Sequence, residues 1–506
     1  MIPRHEPRIR AEHPALDQYL RSVLTDGQLQ RPLLVSFTQW DFAVAAIAET
    51  VSTLVSMGSD VALALWSDDT PLRDVGWQSN HTVAAVLRSP TIDQRLREAL
   101  VAAGLPEGNI VAMGRGWRPV DALPRITTTS RSSIRTLTYR GAPLGRGILE
   151  VPPHADVPVT DDFHWPRRYV EAAIRSYAAV YDRTCEVIQA RRSTAVFAYN
   201  GRFLHDSAVA AAAASFDLPV LSYDTGGLDT DFDLTIDATH DWSALQQRMK
   251  TMYREWPQEE RDVVGGAWFE ARINHASDQN AMFTGAQQIG HGIDRIPDEV
   301  VVTYFSSSGD EIAELDLDWA DYFNGQAGAL AAVADTCREL GYRLVVRTHP
   351  HKRHKPRRDV EEWHAAVAAA RPDLHLDEYS DVDSYTLMRQ SDVVVTYGST
   401  TGVEAGYAER PVIVMGPSAY DELGCAVRVR TVDELRDALQ RREHGTRQEA
   451  TPYGLMMKRR GFAYQFVERL PDGTRSLVGV PIVEPHVYVR HASHALNRLT
   501  RWRLTR

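Results

Sequence analysis

The reading of this chain turns on residues 391–416, SDVVVTYGSTTGVEAGYAERPVIVMG. An apolar run, DVVVT, ends in a glycine and three hydroxyl residues; a glutamate follows, and after one helical stretch a second apolar run, PVIVM, begins. Strands that are apolar at every position are buried on both faces, and parallel strands need helical crossovers, so the pattern predicts strand, helix, strand in a parallel sheet. In open sheets of that kind ligands sit beyond the carboxyl ends of the strands, where the next helix presents unpaired N–H groups. Gly398 and Gly402 allow the backbone to approach closely, and Ser399, Thr400 and Thr401 add hydroxyl donors. Glu404, four residues after Thr400 on the same helical face, offers a carboxylate to ribose or sugar hydroxyls. A phosphate cradle beside a hydroxyl acceptor describes a nucleotide site. The competing reading is helix capping alone, with Glu404 completing a capping box.

The segment RLVVRTHPHKRHKP, residues 343–356, tips the balance toward a ligand. It is another apolar strand, and it ends in Arg347, His349 and His351, groups that can meet a diphosphate or protonate a leaving phosphate. Around these two segments runs a series that starts near residue 299 with EVVVTYFSSSGDE and continues through LHLDEYS and RPVIVMG. An earlier series begins with RPLLVSF and DVALALW and resumes with STAVFAYNG and LPVLSYDTGG. Two α/β domains with parallel sheets follow. IGHGIDRIPD, residues 289–298, breaks the periodicity between them. The expected domains are 1–290, 299–455, and a C-terminal extension, 456–506, that packs back on the body.

Composition excludes several classes. The 506 residues are 43% hydrophobic and 24% charged, with a net charge of −11. These are the values of a soluble globular chain without an extended nucleic-acid footprint. Three scattered cysteines, Cys185, Cys337 and Cys425, suit a reducing cytoplasm, and the N-terminus shows no apolar signal segment. The chain contains no Gly-Lys dipeptide, and Ser399 lies in GSTTG, so neither a P-loop nor a nucleophile elbow is present. Aspartate pairs in DTDFD (229–233) and DLD (316–318) are too common to imply a metal, and none is expected. The tail HASHALNRLTRWRLTR, with Leu496, Leu499 and Trp502 among arginines, suits either peripheral contact with an anionic membrane face or packing on the body.

FSSSGDE, RTHP and residues 391–416 resemble the C-terminal half of GT-B glycosyltransferases that build bacterial capsule and other surface polysaccharides. YNGRFLHDSAVAAAAASFDLPVLSYDTGG, residues 199–227, is similar to a stretch of their N-terminal half. The resemblance covers about residues 190–230 and 300–425. It implies two Rossmann-like domains facing across a cleft, a CMP-, CDP- or UDP-linked sugar donor, a glycan or lipid-linked acceptor, and no cofactor. It assigns His349, Ser399 and Thr400 to the donor phosphate and Glu404 to its ribose; Arg347, Gly398, Thr401, Ser307 and Ser308 would line the donor site. The acceptor hydroxyl needs a general base as it attacks the anomeric carbon. Asp224 leads the candidates, followed by Asp41 and His205, while Asn200 and Arg202 would position acceptor or phosphate. Two alternatives stay open: a non-hydrolysing nucleotide-sugar epimerase, and a glycan-binding protein that has kept the fold without the base.

Overall fold

A computed structural model describes residues 13–37, 41–66, 94–113, 117–150, 164–228, 230–236, 241–276, 284–307, 322–355, 357–470, 475–477 and 479–482. Ser308, Asp310, Glu311, Trp40, Asp229, Asp316, Asp318 and the tail with Leu496, Leu499 and Trp502 lie outside them, and Asp41 is described by its backbone alone. The chain divides into two compact units, Met1–His154 with Thr160–Thr239 and Arg460–Arg506, and Ala155–Val159 with His240–Arg459.

The first unit carries strands β1 (Pro32–Ser36), β2 (Ala62–Trp66), β3 (Ile110–Met113), β4 (Ala195–Tyr199), β5 (Val220–Thr225) and β6 (Asp231–Thr235). Their order across the sheet is β3-β2-β1-β4-β5-β6, parallel through β5, with β6 antiparallel. Phe462–Ala463, returning from the end of the second unit, adds an antiparallel edge strand beside β6. β1, β2 and β4 are buried at every position, as a sheet covered on both faces requires. The helix Asp41–Ser56 is buried continuously from Ala43 to Leu54, which explains why its sequence is apolar on all sides.

The residues 115–165, irregular in sequence, contain the short helices Arg131–Arg135 and Leu144–Glu150. Asp182, on the long helix Arg167–Arg191, anchors part of this region. Its carboxylate accepts hydrogen bonds from Trp117 Nε1, the Val120 amide, the Tyr139 hydroxyl and Arg140 Nη1. A buried carboxylate needs that many donors to offset its lost hydration.

The second unit is built on β7 (Val301–Phe305), β8 (Arg343–Arg347), β9 (Leu374–Leu376), β10 (Val393–Thr396), β11 (Val412–Val414) and β12 (Val427–Arg428). Every pairing is parallel, in the order β12-β11-β10-β7-β8-β9. Alternate residues face two cores: Val301, Phe305, Val345 and Val394 enter one, Val302, Tyr304, Val346 and Val395 the other. The helices Trp242–Glu255 and Gln258–Ile273 precede the first strand in sequence yet pack within this unit. The second of them meets Arg447–Arg459 through glycines, since a Cβ on Gly454 would overlap the Gly265 carbonyl oxygen. The expected class, two Rossmann-like α/β domains with largely parallel sheets, is the one the chain adopts. Among the described residues, no helix is long and apolar enough to cross a membrane.

One buried acid ties the C-terminal return to the first unit. Glu49, fully buried on Asp41–Ser56, accepts hydrogen bonds from the amides of Gln465, Phe466 and Val467 at 2.7–3.1 Å. Beside it the neutral ring of His13 takes the Leu16 amide at Nδ1, so Nε2 donates to the Ala463 carbonyl. Burial lifts the Glu49 carboxyl from 4.5 to about 7, against the pull of the three amides. Between those values the folded chain keeps a proton that the unfolded chain has lost. This stabilisation is therefore full below pH 4.5 and fades as pH rises through about 7. A shift of that size corresponds to roughly 3 kcal/mol. Thermal melts between about pH 5 and 8 should show wild-type Tm falling with pH and Glu49→Gln much flatter; equal slopes would refute this assignment.

Candidate functional site

Both sheets reverse direction of growth next to their first strand. In the second unit β7, β8 and β9 extend one way and β10, β11 and β12 the other, so the topological switch point lies between β7 and β10. Ligands of open α/β sheets bind at that crevice. Register makes the crevice level: Phe305 pairs with Arg347 on one side and with Thr396 on the other. The loops after β7, β8 and β10 therefore leave the sheet from one row, with β8 and β10 about 10 Å apart, two strand spacings.

The loop after β10 is held from several sides. Gly398 has φ +83°, and a Cβ there would overlap the Pro417 carbonyl oxygen. The Ser399 amide donates to Thr396 Oγ1, and the Ser399 carbonyl accepts from Tyr420 OH at 2.6 Å and from the Gly402 amide at 2.9 Å. Ser399 Oγ accepts from the Thr401 amide and lies 3.3 Å from Thr401 Oγ1. Thr400 makes no side-chain cap, and among the described residues its amide has no hydrogen-bond partner. Tyr420, fully buried, thus acts as a strut beneath a loop in which the Ser399 hydroxyl donates to Thr401 Oγ1 and the Thr400 amide is uncommitted among the described residues.

Glu404 does not complete a capping box. Its carboxylate does not turn back to the helix start. Oε1 accepts from Arg272 Nε at 2.5 Å and from Tyr385 OH at 3.3 Å, with the side chain 4% exposed. Among the described residues, Oε2 has no hydrogen-bond partner.

On β8, Arg347 is buried and spent on the fold. Nη1 donates to the Asp377 carbonyl and Nη2 to the Ser380 carbonyl, clamping the turn after β9. Burial lowers its pKa to about 10, so it remains a cation. His349 follows. Its amide donates to Ser306 Oγ at 2.8 Å, which ties the loop after β8 to the loop after β7. Its Nδ1 accepts the His351 amide at 3.2 Å, leaving the ring proton on Nε2. Burial, then the charges of His351, Lys352 and Arg347, push the imidazole down to about 3. His349 is accordingly a neutral N–H donor in a positive field. That field suits an anion, while the ring itself is not a resident cation. Ser307, after β7, is buried against Gln326: its amide and hydroxyl both donate to Gln326 Oε1.

The first unit has its own switch point, between β1 and β4. Tyr199 pairs with Tyr223, so the next residues, Asn200 and Asp224, come level at the strand ends. Asn200 (φ +50°) donates from Nδ2 to Asp224 Oδ2, and the Thr225 amide donates to Oδ1, each at 2.7 Å. Burial raises the Asp224 carboxyl, offset in part by the Thr225 and Asn200 hydrogen bonds and the charge of Arg460. Arg202 lies over the Phe203 ring at 5.1 Å, and buried His205 lies 5.2 Å from the Phe37 ring. Asp41 begins the helix after β1. Arg272, Tyr385 and Tyr420 lie 132, 19 and 21 residues from the groups they support, and no local sequence pattern links them.

Residues 323–451 match the family described as capsule polysaccharide biosynthesis protein. That span is about a quarter of the chain. No curated protein matches. Among solved structures, the chain is similar to the beta Kdo 2,7 transferase of KpsC from Thermosulfurimonas dismutans at 12% identity. That likeness covers 63% of this chain and 89% of the other, with a TM-score of 0.33. A likeness to UDP-GlcNAc 2-epimerase from Neisseria meningitidis, bound to UDP-GlcNAc, has 11% identity over 85% of this chain and 97% of that one, with a TM-score of 0.27. The fold assignment rests on the strand orders above. Among the described residues, no group of three His, Cys, Asp or Glu side chains is arranged to hold a metal ion.

The protonation state of His349 is directly measurable. Side-chain nitrogen NMR should find its imidazole neutral, with the proton on Nε2, across about pH 5 to 8, and added CDP or UDP should move its titration upward. A free-protein pKa near the ordinary 6.5 would contradict the geometry.

Proposed function

We propose that this chain is a GT-B type glycosyltransferase that moves a sugar from a CMP-, CDP- or UDP-linked donor to a surface or capsular glycan or its lipid-linked precursor. The observation that carries the reading is the single row from which the loops after β7, β8 and β10 emerge at the switch point. The donor's phosphates would lie among His349 Nε2–H, the Thr400 amide and hydroxyl, and the hydroxyls of Ser399 and Thr401. Gly398 gives them room. Glu404 Oε2 would accept a ribose hydroxyl. Ser307 would shape the floor and Arg347 the neighbouring turn.

In the first unit Asp224 is the general base, held by Asn200, with Arg202 and His205 nearby as acceptor contacts. The acceptor oxygen attacks the anomeric carbon, its proton passes to the Asp224 carboxylate, and the bond from that carbon to the phosphate oxygen breaks with its electron pair leaving on the nucleotide. A raised carboxyl pKa makes Asp224 a stronger base than an exposed aspartate. Preorganised donors around the leaving phosphate do the electrostatic task without a required metal in this reading.

A thermal-shift panel of CMP, CDP, UDP and GDP should raise Tm with a pyrimidine nucleotide. His349→Ala and Glu404→Ala should each weaken that ligand by roughly tenfold or more while the far-UV spectrum stays native. Wild-type affinity in both variants refutes the donor site. With CMP-, CDP- and UDP-sugars, nucleotide release should require a glycan acceptor and persist in chelator; turnover of the sugar without acceptor would mark an epimerase instead. Asp224→Asn should slow transfer by about 10²–10⁴ without altering nucleotide affinity. The wild-type rate should fall as pH drops through the raised Asp224 pKa, since only the ionised carboxylate accepts the proton.

A further inference from the structure

Glu404 is nearly fully buried, and a buried carboxylate is retained in one orientation only where partners hold it. Those partners come from two places. Tyr385 lies on the helix Ser384–Gln390 just before β10, and Arg272 lies 132 residues upstream on Gln258–Ile273. The Arg272 guanidinium is itself fixed, with Cζ 4.6 Å from the Trp268 ring centroid, while the side chain is 14% exposed. Both contacts fall on Oε1, so the carboxylate plane is set from one side and Oε2 is left as its remaining acceptor.

We infer that Arg272 is a positioning residue for nucleotide recognition, holding Glu404 so that Oε2 receives a ribose hydroxyl. This rests on the donor reading above and extends it to a residue outside the loops at the strand ends. The guanidinium does two things at once. It donates to the buried carboxylate from a fixed direction, and it spends one oxygen so that only the other can serve a ligand. Arginine suits the task because its guanidinium lies over the Trp268 ring while Nε donates to the carboxylate; a lysine would supply charge without that orientation. The helix Gln258–Ile273 is accordingly part of the nucleotide site, though it precedes every strand of its sheet.

The test is discrimination between ribose and deoxyribose, which general loss of stability does not alter. Titration calorimetry compares CDP and UDP with their 2′-deoxy and 3′-deoxy counterparts against wild type, Arg272→Lys, Arg272→Met and Tyr385→Phe. Wild type should prefer a ribonucleotide over at least one deoxy counterpart by roughly tenfold or more. Arg272→Met should bring that ratio close to one, and Arg272→Lys should restore part of it. Should Arg272→Met fail to fold, Tyr385→Phe, which removes one hydroxyl from the same oxygen, should lower the ratio on an intact fold. A wild-type preference that survives undiminished in the folded variants overturns the positioning role and leaves the donor reading standing. Absence of any nucleotide binding by wild type overturns both.

Discussion

The chemistry assigned to the second unit depends on a row of backbone pairing in which Arg347, Phe305 and Thr396 stand side by side. Parallel register with no offset between β8, β7 and β10 makes three loops start at the same height. A slip of one residue would exchange the two faces of a strand and swap the core assignments of Val393, Val394 and Val395. The buried apolar side chains therefore protect the register, and the register protects the site. This is why the strands can be almost featureless chemically while the segments that follow them carry polar groups.

Above that row the loops are braced by side-chain hydrogen bonds. Tyr420 OH supports the Ser399 carbonyl, Ser306 Oγ receives the His349 amide, Gln326 holds Ser307, and Arg347 clamps the turn at Asp377 and Ser380. Such bracing holds the loops in a fixed geometry, which is what a preorganised set of donors requires. The field is set in the same way. His349 stays neutral chiefly because it is buried, and the charges of His351, Lys352 and Arg347 add to that, so positive potential and a directed N–H come from different residues.

The first unit repeats the topology with different ends. Its sheet has the same reversal between its first and fourth strands, and Asn200 and Asp224 leave adjacent strands level with each other. Here an acid with a raised pKa replaces the hydroxyl nest. One sheet order thus supports a loop of glycine and hydroxyl residues in one unit and a hydrogen-bonded asparagine and aspartate in the other, because the order positions strand ends without specifying what they carry.

Apolar runs of the right length, glycines after them and helical stretches between were enough to read both sheets, the strand ends at 347–349 and 397–401, and the placement of Asp224. Those features are local: burial on both faces writes itself into consecutive residues, and a loop that must accept φ near +83° writes a glycine at 398. Contacts between distant segments leave no such mark. Nothing near Glu404 announces that its carboxylate meets Arg272 and Tyr385 rather than the helix start, and nothing near Arg347 announces that two carbonyls occupy its guanidinium. The C-terminal extension is expected to pack back on the body, but nothing along the chain announces that it joins the first unit or that Glu49 pins it there. Partners of buried charges are chosen by where the folded chain brings donors together, and that choice is made by packing over hundreds of residues rather than by any neighbour along the chain.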